Sequence, residues 1–171
     1  MAEEHIPIVN TADRIVGSSS FSTVHRQGLL HREAYTYLIN KRKEVLLQQR
    51  TDSGLWDHSS AGHFPETESY AEGARREFAE ELGIQLPLSA FKEIAYERID
   101  SIKPQKKNRR FVKVFVVRKD IPLHEFKIEK KELIAVRYFG CSELRVLLSQ
   151  EHVLTNSAQY LIKKYLLKML S

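Results

Sequence analysis

Gly62-His-Phe-Pro-Glu-Thr-Glu68, followed after seven residues by Arg76-Glu-Phe-Ala-Glu-Glu-Leu-Gly-Ile84, is the stretch that decides the fold. Between its halves, Ser69 and Glu72 have the spacing of a capping box. The hydroxyl accepts from an orphan backbone N–H, and the carboxylate reaches back to the cap amide. Ala71, Ala74, Phe78 and Leu82 recur at helical spacing as one apolar stripe. Gly83 falls where a left-handed residue ends a helix. A helix is therefore predicted between Ser69 and Gly83. Glu77, Glu80 and Glu81 stand at i, i+3 and i+4 beside the stripe, within an arc of about 100°. Like charges at this spacing oppose a helix by roughly a few tenths of a kcal/mol per pair, so a positive partner is expected. Arg76, four residues before Glu80, is one candidate. A hard divalent cation is the stronger one, because carboxylate oxygens suit Mg²⁺ or Mn²⁺. A solvated acidic helix face is the alternative that the helix alone leaves open.

Outward from this helix the chain reads mostly as strands. Ile6–Val9 and a segment beginning at Arg14–Val16 are short candidates. Ala34–Ile39, rich in aromatic and β-branched residues, and Glu44–Arg50 flank the polar turn Asn40-Lys-Arg-Lys43. A short strand is expected within 56–60, and longer ones at Phe91–Ile99, Arg110–Val117 and Ile134–Phe139. Two more helices are expected, about Ser142–Leu148 and about Asn156–Leu170. A helix inserted among strands in this order predicts α/β packing on a mixed sheet.

The 171 residues fit one domain spanning 1–171, and the 42% hydrophobic, 29% charged composition excludes a disordered chain and an integral membrane protein. With 27 basic and 22 acidic side chains the net charge is +5, which suits an anionic substrate without selecting one. The one cysteine, Cys141, closes no intrachain disulfide, and the seven histidines show no zinc-finger spacing. The acidic start lacks the pattern of a signal peptide. A cytoplasmic location is expected.

The quoted stretch resembles the Nudix box: glycine, five residues, Glu, seven residues, Arg-Glu, an apolar residue, any residue, Glu-Glu, any residue, Gly, an aliphatic. Gly62, Glu68, Arg76, Glu77, Glu80, Glu81 and Gly83 match its fixed positions, and Phe78 and Ile84 fill its apolar slots. The resemblance implies an α/β/α sandwich with the box at 62–84, a loop–helix–loop that holds Mg²⁺, with Mn²⁺ as a substitute, against a diphosphate. It implies Glu77, Glu80 and Glu81 as metal carboxylates and the Gly62 carbonyl as a further ligand. Arg76 and Glu68 become the pair that orients those carboxylates. The implied reaction is hydrolysis of a nucleoside diphosphate linked to another moiety. Glu80 is one candidate base; Glu125, Glu129 and Glu132, downstream, are others or ordinary loop charges. Ala61 and Thr67 stand where many members have glycines.

Upstream, Gly28-Leu-Leu-His-Arg32, Leu46-Leu-Gln-Gln-Arg50 and Trp56-Asp-His-Ser-Ser-Ala-Gly-His63 look like the isopentenyl-diphosphate isomerase branch, so that the similarity covers roughly residues 5–140. The isomerases carry an acid–base cysteine before the Gly-His pair, where this chain has Ala61. They carry glutamates ahead of a later strand, where this chain has Asn108-Arg-Arg110. Both departures disfavour isomerisation. His25, His31 and His63 resemble the histidines of the isomerase metal site, with a structural role as the alternative.

Lys103-Pro-Gln-Lys-Lys-Asn-Arg-Arg110 reads as a basic hairpin loop, solvated or in contact with phosphates. Arg50, His63, Lys106 and Arg110 are candidates for substrate contact. Lacking interleaved aromatics, the loop makes nucleic acid an unlikely partner. In the last segment, Leu161, Ile162, Tyr165, Leu166 and Met169 form a helical stripe expected to dock on the sheet or on a second copy in a homodimer; a membrane-surface helix is the alternative. A non-catalytic nucleotide- or RNA-binding module is the rival reading of the whole chain.

Overall fold

A computed structural model describes residues 4–104 and 106–171, with Lys103 described by its backbone alone. The strands are β1 (His5–Val9), β2 (Ile15–Ser20), β3 (Leu30–Ile39), β4 (Val45–Arg50), β5 (Trp56–Asp57), β6 (Ser60–Gly62), β7 (Lys92–Lys103), β8 (Lys106–Arg118) and β9 (Leu133–Phe139). The helices are α1 (Phe21–Gln27), α2 (Tyr70–Leu82), α3 (Cys141–Ser149), α4 (Asn156–Leu161) and α5 (Leu167–Leu170).

β3 is the spine. Every residue of it except Arg32 is buried. It runs parallel to β8, from Leu30 opposite Arg109 to Ile39 opposite Arg118, and antiparallel to β1, β4 and β6. β7 folds back on β8, and β9 pairs with β4. The sheet is mixed, as expected. Strand alternation sends Ala34 and Leu38 to one face, where they meet Phe64, Ala74, Phe78 and Leu82. Tyr35, Tyr37 and Ile39 go to the other, against Leu161, Ile162, Leu166 and Leu170. These two helical layers enclose the sheet.

The predicted central helix is α2. Ser69 accepts from the Glu72 amide, and the Glu72 carboxylate accepts from the Ser69 amide at 2.8 Å. Gly83 is left-handed at φ 71°, and a Cβ there would come within 2.7 Å of Lys127, so both conformation and space demand glycine.

Two expectations change, and one element was not expected. That element is α1, which Ser20 caps and Gly28, left-handed, ends. The basic segment is not a loop: β7 runs to Lys103 and β8 starts at Lys106, so Lys106, Lys107, Arg109 and Arg110 are strand residues whose side chains alternate between faces. The C-terminal helix is not uniform: a π-helical stretch, Ile162–Leu166, joins α4 to α5. Its stripe docks on the sheet of its own chain, each buried leucine contributing about 1.5–3 kcal/mol. Among the described residues no helix is long and apolar enough to cross a membrane.

Candidate metal and diphosphate site

α2 lies with its carboxylate face against β6, and the fit depends on glycine. A Cβ at Gly62 would lie 2.3–2.6 Å from the Glu77 carboxyl atoms. The missing side chain is the space that Glu77 occupies. One residue earlier, the Ala61 amide donates to Glu81 Oε2 at 3.0 Å, and Gln48 Nε2 from β4 donates to Glu81 Oε1 at 3.3 Å. Glu81 is 4% exposed, while the Glu80 side chain is 58% exposed.

Arg76 ties the cluster together. Its Nη1 donates at 2.9 Å to both Glu77 and Glu80, its Nε reaches Glu68 at 3.2 Å, and its Nη2 donates to the His63 carbonyl at 2.8 Å. One planar guanidinium thus holds two helix carboxylates and the loop that follows β6. It leaves Glu81 unneutralised. Burial, with repulsion from Glu77, pushes the Glu81 carboxyl well above the carboxylate range. Burial also raises Glu77, to about 8, against the pull of Arg76. Two buried acids whose charge is opposed by their surroundings, with a third at the rim, fit a divalent cation.

The downstream glutamates separate. The Glu129 amide donates to the Glu81 carbonyl at 3.0 Å, and the Lys127 amide donates to that of Leu82, so this stretch is tied to the end of α2. Glu132 lies near enough to raise Glu81. Glu125 sits in a separate turn, Leu123–Glu125, and is exposed.

Of the substrate candidates, Arg50 binds Asp52 through two hydrogen bonds of 2.9 and 3.0 Å and lies 3.6 Å from Asp57, within the field of Glu81. Lys106 leans over the Phe21 ring, 5.8 Å from its centroid, at the near end of β8. Arg110 is turned inward. It is 4% exposed, its Nε 2.8 Å from Glu33 Oε2 and 2.6 Å from the Tyr35 hydroxyl.

The His63 ring joins His25 and His31 and packs edge-on against Phe21, the ring over which Lys106 leans. The three ring centroids are 5.0–5.3 Å apart, and one ligand atom from each, with a carboxylate oxygen of Glu33, all lie within 4.8 Å of one another. Burial lowers His25 to about 4. Burial alone would raise Glu33, but Arg110, then His63 and His31, outweigh it and hold the carboxyl well below its usual range. Glu33 was not singled out in the sequence. Its only signal there is its position two residues after His31, on the same face of a strand.

The carboxylate helix thus rests on a glycine cradle at one face of the layered mixed sheet. The NUDIX domain model matches residues 29–162, and the chain belongs to the Nudix family. It is 35% identical over 162 residues to Nudix hydrolase 3 of Arabidopsis thaliana, covering 88% of this chain and 21% of that protein. It is 35% identical over 100 residues to isopentenyl-diphosphate Delta-isomerase of Serratia proteamaculans, covering 56% of each. The chain thus spans only part of these relatives. The solved structure of DR0079 from Deinococcus radiodurans shares the fold, with a TM-score of 0.71 at 19% identity over 94% of this chain and 98% of that one.

Proposed function

We propose that this protein is a Mg²⁺-dependent hydrolase of a phosphoanhydride bond in a small diphosphate-containing substrate, acting in the cytoplasm. The observation that carries this reading is the pair Glu77 and Glu81, buried against Gly62 and Ala61. Glu77, Glu80 and Glu81 hold the metal, with the Gly62 carbonyl beside them. Bound there, Mg²⁺ supplies charge neutralisation of the diphosphate and activation of water. Arg76 and Glu68 orient the carboxylates. Glu80, the most exposed of the three, takes the proton from the attacking water, with Glu132 as the second candidate. Arg50 and Lys106 supply positive charge for the phosphates. Arg110, committed to Glu33, acts inside the protein instead.

Isomerisation of an allylic diphosphate is the weaker reading. Ala61 takes the place of the acid–base thiol, and its amide is engaged in holding Glu81. A non-catalytic binding module gives no reason to keep buried carboxylates whose charge is unfavourable without a cation.

The test is phosphate or pyrophosphate release from a panel of nucleotide, nucleotide-sugar, dinucleotide and isoprenoid diphosphates, with Mg²⁺ and with EDTA. Metal-dependent release by the wild type, lost in Glu81→Gln, supports the hydrolase and identifies the substrate class. A folded protein silent across the panel sinks it.

A further inference from the structure

Gln48 is fully buried on β4, on the face of the sheet that α2 covers. Strand alternation groups it with Leu46, which packs in the core beneath α2, and not with Leu47, which faces the C-terminal helices. An apolar residue would continue this layer. The carboxamide instead makes one side-chain hydrogen bond, from its Nε2 to Glu81 Oε1 at 3.3 Å. Its own Oε1 is buried with no hydrogen-bond partner among the described residues. A buried acceptor without a protein partner does not strengthen a core, so packing does not account for glutamine at this position.

We propose that Gln48 is a positioning residue for Glu81 as a metal ligand, an inference that rests on the carboxylate site proposed above. Glu81 Oε1 takes its donor from β4, and Oε2 takes the Ala61 amide from β6 at 3.0 Å. Two donors from two strands fix the plane of the carboxylate, and each oxygen keeps a lone pair for a further partner. Both donors are neutral, so they orient the charge without cancelling it.

The three helix carboxylates are therefore held in two ways. Glu77 and Glu80 are oriented from within α2 by the Arg76 guanidinium, whereas Glu81 is oriented from the sheet by two amides. Arg50, two residues beyond Gln48 on β4, lies within the field of Glu81. One strand thus places an amide on the metal ligand and a cation for the phosphates. Without the amide, Glu81 is held through Oε2 alone and its carboxylate turns about the bond to Ala61. Metal affinity then falls while the fold persists.

The experiment reads metal binding without substrate. Full-length protein stripped with EDTA is titrated with Mg²⁺, and the rise in melting temperature gives the half-effective concentration. Gln48→Met keeps the length of the side chain and removes the donor; Gln48→Leu is the second variant. Both should melt in EDTA at or above the wild-type temperature and require at least about tenfold more Mg²⁺. Leu46→Met, on the same face of β4, alters packing without removing a bond to Glu81 and should keep the wild-type Mg²⁺ requirement. No Mg²⁺-dependent rise in the wild type, a wild-type requirement in either Gln48 variant, or an equal increase in Leu46→Met overturns the inference. So does a melting temperature in EDTA well below wild type in both Gln48 variants, which would assign the amide to the fold. Glu81→Gln is the reference, and a wild-type Mg²⁺ requirement there would remove Glu81 as a ligand and this inference with it. Mg²⁺ binding that depends on Glu81 and Gln48, in a protein silent across the diphosphate panel, would sink the hydrolase reading and leave the role of Gln48 standing.

Discussion

The Glu77 carboxyl group fills the volume that a side chain on Gly62 would occupy, with a built Cβ only 2.3 Å from its carboxyl carbon. The clash is with the far end of a flexible side chain, not with backbone. Gly62→Ala should therefore fold normally and displace Glu77. A misplacement of about 1 Å at a reacting centre costs on the order of 100-fold in rate. We expect a loss of that size in kcat/KM, with a far-ultraviolet circular dichroism spectrum and melting temperature close to wild type. Wild-type turnover from Gly62→Ala would remove the cradle from the mechanism.

Glu81→Gln keeps the shape of the side chain and removes its charge. The Ala61 amide still finds an oxygen acceptor, so the fold is retained. Even outer partners of metal ligands cost 10–100-fold when removed, so a ligand itself should cost at least about 100-fold. Metal-dependent turnover should fall by that factor while the metal-free melting temperature holds or rises, since an unfavourable buried charge has gone. An active variant would exclude Glu81 as a ligand.

Arg76 serves Glu68, Glu77, Glu80 and the His63 carbonyl with one rigid fork. Arg76→Lys keeps the charge and loses the geometry. We predict a fall of roughly 10–100-fold in kcat/KM and a higher Mg²⁺ requirement. Measuring rate against Mg²⁺ concentration checks this; an unchanged Mg²⁺ dependence would reduce Arg76 to a stabilising contact.

The carboxylate site was legible because its chemistry lies within one helix and the loop before it. Ser69, Glu72 and Gly83 bound the helix, and 3.6-residue periodicity sets Glu77, Glu80 and Glu81 side by side. The histidine–glutamate cluster was only half legible. His25 and His63 lie 38 positions apart in the sequence, and Glu33 meets Arg110 through strand register, which periodicity does not encode. α1 escaped notice because seven residues are too few to show an amphipathic repeat. The basic segment misled because its charges suggest solvent, whereas alternation along β8 turns Arg110 inward.

Asp57 links the sheet to the C-terminal helices. Its Oδ1 accepts from the Thr155 hydroxyl at 2.6 Å and lies 3.3 Å from His58 Nε2, while Thr155 caps α4. Asp57→Ala strands buried polar partners, which costs about 2–3 kcal/mol. At roughly 2–4 °C per kcal/mol for a chain of this size, the melting temperature should fall by about 5–10 °C. Calorimetry checks this; no change would mean that the network contributes nothing to stability.

The raised Glu77 sets a pH dependence with a definite sign. Its carboxyl titrates near 8 in the metal-free fold, against an ordinary value of 4.5. Between those values the folded state holds a proton that the unfolded state has released. Metal-free stability should therefore be greatest below the ordinary value and fall as pH rises toward about 8. Mg²⁺ binds the deprotonated carboxylate and competes with that proton, so its stabilising effect should grow over the same interval. Melting temperatures measured from pH 5 to 9 with EDTA should decline, and those with saturating Mg²⁺ should decline less, the two curves diverging with pH. Glu77→Gln should flatten the EDTA curve and reduce the divergence. Parallel curves for the wild type would show that Glu77 does not take up the metal.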